Sequence, residues 1–356
     1  MDNMRRLHSG ALATTHPTSD KESAMKRLKL MGLGCCIIII LPMVIMAVII
    51  AFSAIILNPR IGAPTDCEAS LFLKTPPPPL SEPITLKIVT FNIADAYLFT
   101  TNRPERVKEI GRILTKLDPD IVGLQESFIA KDRKLLLEAL SDSRLKHHVD
   151  FPAATVGNGL LILSAFPIVE HCFWRYRTNN PWYKIHQGDW WAGKGIGLAR
   201  LQLPDGCVLD FYNTHAQAGR GDPANADVRF EQMGELAAFM NKSRNRSGPA
   251  FIVGDFNTRM GKPDLERAIE EAKLELTMTI DSGIDMVFAA KDDNYRFEAL
   301  DTVIITGEVQ GSKGNIFLSR APTPAELRRM LSGPGEMTSI SDHNGFMTTV
   351  AIQRQN

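Results

Sequence analysis

From Met31 to Leu57 the chain reads MGLGCCIIIILPMVIMAVIIAFSAIIL, 27 residues without a charge. As a helix this exceeds the roughly 20 residues that cross a bilayer core, so the segment is expected to span a membrane. A cleavable signal has an apolar region of only about 7 to 15 residues, which favours an uncleaved anchor. Six basic residues lie between Arg5 and Lys29, against Arg60 alone between the apolar run and Lys74. That asymmetry predicts a cytoplasmic N-terminus and a body in an exoplasmic, lumenal or periplasmic space. Pro42 leaves a kinked or re-entrant segment as the alternative, which would keep the body cytosolic.

Four parts follow: a basic tail over 1–30, the transmembrane anchor over 31–57, a linker over 58–83 and a body over 84–353. Within the linker, TPPPPLSEP is a stiff polyproline-type spacer. Residues 1–60 carry seven Lys/Arg and three acids, leaving 33 basic and 37 acidic residues for the rest of a chain with 40 of each. A body with a net charge of minus four lacks the footprint of a general nucleic-acid binder, so no nucleic-acid partner is expected. Five cysteines give no disulfide framework in a chain this long, and Cys67, Cys172 and Cys207 lack metal-ligand spacing.

The body alternates strand and helix patterns, as layered α/β domains do. Strands are expected at Leu86 to Asn92, Asp120 to Glu126, Gly159 to Ser164, Ile168 to Trp174, Gly195 to Gln202, Val208 to Thr214, Ala250 to Gly254, Leu300 to Thr306 and Gly345 to Ile352. Helices are expected at Pro104 to Leu117, Asp132 to Leu140, Asn225 to Asn241 and Asp264 to Glu271.

Several of these segments end in, or just follow, residues that strands disfavour. IVTFN ends at Asn92, IVGLQE at Glu126, LDFYNTH at His215 and FIVGDFN at Asp255 and Asn257, while SISDHNG presents Asp342 and His343 just before the last strand. Each has a plain explanation alone: a turn cap, a solvent-facing acid, a core histidine. Ligands of α/β folds gather at the carboxyl ends of strands, so together these residues point to one site. Carboxylates and amides suit a hard divalent ion such as Mg2+, with Glu126, Asn92 and Asp342 as candidate oxygen donors. Histidines suit proton transfer and donation to phosphate oxygens. The set reads as phosphoester hydrolysis.

The ordered motifs TFN, QE, NTH, GDFN, LD and SDH, from Thr90 to His343, resemble those of the endonuclease/exonuclease/phosphatase superfamily. The resemblance implies a deoxyribonuclease-I-like four-layer α/β sandwich. It implies that Glu126 binds Mg2+ with help from Asn92, that Asp255 and Asn257 orient water and hold the scissile phosphate, that His215 donates to a phosphate oxygen and that His343 is the general base. Asp301 in EALDTVI matches the acid that pairs with that base, although the usual following aromatic is Thr302, and Asp285 in GIDMVFA is its rival.

HQGDWWAGKGIGLARL, His186 to Leu201, is similar to a segment of neutral sphingomyelinases. Membrane-anchored members carry an Asp and a Lys five residues apart as a conformational switch, a spacing that Asp189 and Lys194 match. Trp190 and Trp191 suit cation–π contact with a quaternary ammonium group or contact with a lipid interface. The implied activity is Mg2+-dependent hydrolysis of sphingomyelin, or a related choline phospholipid, to ceramide and phosphocholine. The alternatives are a surface nuclease or inositol-phosphate phosphatase of the same fold, and an inactive membrane-tethered binding module.

Overall fold

In the computed structural model the residues described are 25–26, 39–58, 76–96, 100–184, 188–219, 221–312, 323–325, 328 and 335–355. The chain divides into two units, Met1–Ser53 and Ala54–Asn356. Ile39–Leu57 is a helix long and apolar enough to cross a membrane, ending in a π-helical turn over Ser53–Leu57. The basic tail apart from residues 25–26, the expected start of the span at Met31, and residues 59–75 of the linker expected over 58–83 lie outside the described residues.

In chain order the body contains β1 (Ile84–Asp95), α1 (Arg103–Leu117), β2 (Ile121–Ser127), α2 (Ala130–Ala139), β3 (His147–Asp150), β4 (Leu161–Ser164), β5 (Ile168–Arg175), α3 (Asp189–Ala192), β6 (Gly195–Gln202) and β7 (Val208–His215). It continues with α4 (Pro223–Ser243), β8 (Ala250–Asp255), α5 (Pro263–Ala272), β9 (Leu274–Leu276), β10 (Asp285–Ala290), β11 (Tyr295–Ile305), β12 (Glu308–Gln310), β13 (Met337–Ser339) and β14 (Gly345–Arg354). One six-stranded sheet has the order β11-β14-β1-β2-β4-β3 and the other β5-β6-β7-β8-β10-β9, while β12 and β13 form a small pair.

Period-two alternation sorts each strand into two faces. On β1, Val89, Phe91 and Ile93 join Val107, Ile110 and Leu114 of α1 and Leu136 of α2 in one buried cluster. Leu86 and Ile88 join the opposite cluster, with Leu198, Phe211, Val253 and Val287 of the second sheet. That central cluster also takes in Met233, Leu236 and Met240 of α4 and Leu265 and Ala268 of α5. The layers are therefore helices, sheet, sheet, helices, the four-layer sandwich expected from the motifs.

The helices are bounded by local chemistry. Asp222 accepts from the Ala224 N–H at 3.0 Å and Pro223 occupies the first position of α4, a site that needs no N–H donor. Pro104 is the second residue of α1, still within the turn that needs no N–H donor, but the N-cap Asn102 has a left-handed φ of 54° and makes no side-chain cap. Between the sheets, Gly123 of β2 approaches closely: a Cβ there would lie 2.3 Å from Val253 Cγ2. Beside that contact, Gln125 Nε2 donates to Asn213 Oδ1 at 2.8 Å and Asn213 Nδ2 donates to the Leu124 carbonyl at 2.9 Å. The two sheets are thus joined by satisfied buried amides as well as by apolar packing.

Candidate active site

Strand register assembles one half of the site. His215 pairs with Asp255 across β7 and β8, and Asp255 pairs with Asp285 across β8 and β10. These three side chains stand abreast at one end of the second sheet, on the face that Val253 presents to Gly123. The other half comes from the first sheet. Asn92 follows Leu86 and Ile88 on the inner face of β1, whereas alternation from Val122 and Leu124 would send Glu126 towards the helices. A left-handed φ of 58° at Glu126 interrupts that alternation, and its carboxylate meets Asn92. Asn257 has a comparable φ of 53°. Left-handed backbone at two non-glycine residues in one cluster is the kind of strain that functional sites hold.

Asn92 bridges the halves. Its Nδ2 donates to Glu126 Oε1 at 3.0 Å and to Asp255 Oδ2 at 3.1 Å, while its Oδ1 accepts from the Ala94 N–H at 3.1 Å. The backbone bond fixes which way the amide points, so Asn92 orients two carboxylates and offers the space between them no oxygen. This revises the expectation of Asn92 as an oxygen donor to a metal. Asp342 is exposed in the loop before β14, with Ser341 Oγ 3.5 Å from its Oδ1.

His343 Nδ1 lies 2.8 Å from Asp285 Oδ2, and its Nε2 lies 3.9 Å from Asp255 Oδ2. Burial alone would lower the imidazole pKa, but the Asp285 bond and the charges of Asp255, Asp285 and Asp342 outweigh it and push it up to about 10. The acid paired with this histidine is Asp285, and Asp301 does not take that place. Asp301 sits exposed on β11 beside a bulge, while its neighbour Thr302 turns inward to accept from the Thr279 N–H at 2.9 Å.

His215 is buried, and its Nε2 lies 3.5 Å from Asp255 Oδ2 and 3.0 Å from Lys194 Nζ. Burial, then the Lys194 and His343 charges, hold its pKa well below the ordinary histidine value, so the ring is neutral and accepts from the lysine. Its Nδ1 has no hydrogen-bond partner among the described residues. Lys194 is itself buried, 2.6 Å from Asp189 Oδ1 and donating to the Ala216 carbonyl at 2.7 Å. Gln217 Nε2 donates to the other Asp189 oxygen at 2.5 Å. The Asp189–Lys194 pair is therefore buried, and Lys194 reaches the histidine.

Trp190 and Trp191 lie half-buried in α3, and neither indole bonds a member of the polar cluster. Trp191 Nε1 donates to the Trp182 carbonyl at 3.3 Å, and the Trp190 carbonyl accepts from Asn58 Nδ2 at 2.8 Å. Asn257 donates from its backbone N–H to Asp255 Oδ1 at 2.9 Å and from Nδ2 to the Ala216 carbonyl at 3.2 Å.

Sequence reasoning missed two supporting residues. Ser341 Oγ donates to the Asn92 carbonyl at 2.7 Å and accepts from the His343 N–H at 3.2 Å. Arg106, fully buried on α1, donates to the carbonyls of Ile340 at 2.8 Å and Ile93 at 2.6 Å. A signal for Arg106 existed: it precedes Ile110 and Leu114 at four-residue spacing, a cation placed in an apolar stripe.

The donor set suits a hard divalent cation. Burial weakens the acidity of Glu126, the Asn92 hydrogen bond opposes that, and the nearby Asp342 and Asp255 charges add to it. Surplus negative charge on oxygen ligands is what Mg2+ neutralises. A second possible ligand group, Asp255, Asp285 and His343, has donor atoms within 4.8 Å of one another, but it includes the histidine–carboxylate bond.

The two-sheet sandwich thus gathers carboxylates and two histidines, each set beside an acid, into one polar cluster. Residues 89–343 match the model of the Endonuclease/Exonuclease/phosphatase family, and the chain belongs to that family. Curated relatives include the inositol phosphosphingolipids phospholipase C of Schizosaccharomyces pombe, 32% identical over 48% of this chain and 41% of the relative. Sphingomyelin phosphodiesterase 2 of Homo sapiens is 31% identical over 49% of this chain and 41% of the relative. The chain thus spans less than half the length of these two relatives. Among solved structures, a magnesium-bound beta toxin of Staphylococcus aureus superposes with a TM-score of 0.57 at 15% identity, over 74% of this chain and 99% of the toxin, which supports the fold.

Proposed function

We propose that the chain is a Mg2+-dependent phosphodiesterase of the phospholipase C type, which hydrolyses a phosphosphingolipid at a membrane surface to ceramide and the phosphorylated head group. For sphingomyelin the second product is phosphocholine. The observation that carries this reading is the His343–Asp285 pair set beside Asp255 and opposite Glu126, which offers a base and a carboxylate cation site on one cluster.

Glu126 and Asp342 would hold the magnesium ion, with Glu126 steadied by Asn92, and the ion when bound supplies Lewis-acid neutralisation of phosphoryl oxygen charge. His343 takes the proton of the attacking water once the surrounding negative charge is offset, with Asp285 holding its Nδ1 and Asp255 orienting the water. Asn257 and the unpartnered Nδ1–H of His215, whose ring Lys194 holds through Nε2, supply donors for the charge that grows at phosphorus, where oriented groups contribute most. The basic tail and the Ile39–Leu57 helix support a single-pass anchor with a cytoplasmic N-terminus, giving the body access to lipid in the membrane plane.

The test is release of water-soluble phosphate ester from sphingolipid vesicles, with DNA and phosphoinositide substrates alongside. Mg2+-dependent release that EDTA abolishes and that DNA does not share is expected. Turnover of DNA alone, or of no substrate, would overturn the reading.

A further inference from the structure

Asn257 faces two ways. Its amide joins the polar cluster, and the residue also lines a cavity of about 520 Å3 between the first half of α4 and the loop that leads into α5. The inner wall of that cavity is tied by hydrogen bonds. Buried Arg229 donates to Asp264 Oδ2 at 3.0 Å and to the Gln217 carbonyl at 3.1 Å, and Thr258 Oγ1 donates to Asp264 Oδ1 at 2.7 Å. The charge of Arg229 is thereby neutralised inside the wall.

The rim differs. Arg259 and Lys262 are exposed, and neither side chain has an ion-pair or hydrogen-bond partner among the described residues. Asp227 is the one exposed acid lining the cavity against these two cations. The aromatic wall is Phe230, and the Arg267 guanidinium already lies 4.5 Å from its ring centroid. A quaternary ammonium group entering here would meet two unneutralised cations and a ring face already occupied by a third. Hydroxyl and phosphate oxygens, by contrast, would find donors from an arginine fork and a lysine ammonium.

We propose that this cavity is a head-group subsite selecting a hydroxyl-rich head group of the inositol type over choline, with Arg259 and Lys262 as the residues that set the preference. The proposal rests on the phosphodiesterase reading above. Asn257, assigned above to the scissile phosphate, also lines this cavity, so a head group leaving phosphorus on that side would enter it with the cleaved bond unchanged.

The experiment uses the full chain in neutral mixed micelles with Mg2+, comparing kcat/KM for inositol phosphoceramide and sphingomyelin. Charge-assisted hydrogen bonds are worth about tenfold or more each, so wild type should favour the inositol head group by at least about tenfold. Arg259→Ala/Lys262→Ala should cut that ratio by about tenfold, and Arg259→Lys/Lys262→Arg should keep most of it. A ratio unmoved by the double alanine variant, or a wild-type preference for choline, overturns the proposal. Equal losses on both lipids that appear only on anionic vesicles also overturn it, since the cations would then be meeting the membrane surface. If wild type cleaves neither lipid, the phosphodiesterase reading fails by itself, and titration with inositol 1-phosphate decides the subsite. Binding weakened at least about tenfold in the double alanine variant supports it, and no binding, or equal binding, overturns it.

Discussion

Asn92 of β1 donates to Asp255 at the end of β8 at 3.1 Å, so the two sheets of the sandwich meet through a side chain inside the polar cluster. The same Nδ2 holds Glu126, which makes this amide the joint between the carboxylate proposed for the cation and the one proposed for water. Asn92→Ala should lower kcat by about a hundredfold or more and weaken Mg2+ binding, with a small change in melting temperature, because two carboxylates lose their common donor. Asn92→Asp should be worse, placing a third negative charge between them. Calorimetric Mg2+ titration beside steady-state kinetics measures both effects, and normal Mg2+ affinity in Asn92→Ala would remove the residue from the site.

The His343–Asp285 pair gives a pH prediction with a defined sign. The folded-state pKa of His343 lies above its ordinary 6.5, at about 10, so this contribution to stability is complete below about pH 6.5 and is lost as pH rises through 10. Asp285→Asn should bring the imidazole pKa down, readable by NMR titration of the metal-free protein, and should flatten that part of the stability profile. Asp301→Asn should change neither, since Asp301 lies exposed on β11. A His343 titration insensitive to Asp285→Asn would show that the pair does not govern the base.

Lys194 stands between Asp189 and His215, so its removal tests two functions at once. Lys194→Met leaves Asp189 as a buried carboxylate without its ammonium, and removing one partner of a buried pair costs about 3 to 5 kcal/mol. Asp189→Asn/Lys194→Met should recover much of that stability but little of the activity, because His215 still lacks its donor. Thermal unfolding and kcat on both variants separate the effects, and full activity in the double variant would exclude a role for Lys194 at phosphorus.

A second buried acid should shape stability away from the chemistry. Asp95 at the end of β1 is raised to about 7, first by burial and then by the adjacent Asp132 carboxylate, although the Ile129 N–H and Arg103 lower it. A carboxyl raised in the folded state is least costly below its ordinary value of 3.8, and its favourable contribution is lost as pH rises through 7. Melting temperature should fall over that window, and Asp95→Asn should reduce the fall by a few degrees. An unchanged slope would assign the pH dependence to other groups.

The apolar helix, the strand–helix alternation and the convergence of Glu126, Asp255, Asn257, His215 and His343 were legible because each is a local pattern: an uncharged run, a period, a polar residue ending an apolar one. Pairing between strands is not local, and one revision came from it. Asp285 entered only as the rival of Asp301 because its neighbour in space, Asp255, lies 30 residues earlier in the sequence. Asn92 read as an oxygen donor because residue type gives the amide but not its orientation, which the Ala94 backbone decides. The left-handed turn at Glu126, which redirects the carboxylate against strand alternation, has no signature in its residue type.

Gly123 lets the facing sheets touch backbone against methyl at Val253, two residues from Gln125 and two from Asp255. That contact acts as a keel beneath the polar cluster, holding the two sheets at one interior spacing. Any side chain at position 123 would push them apart, and with them the polar residues that each strand carries two positions further on.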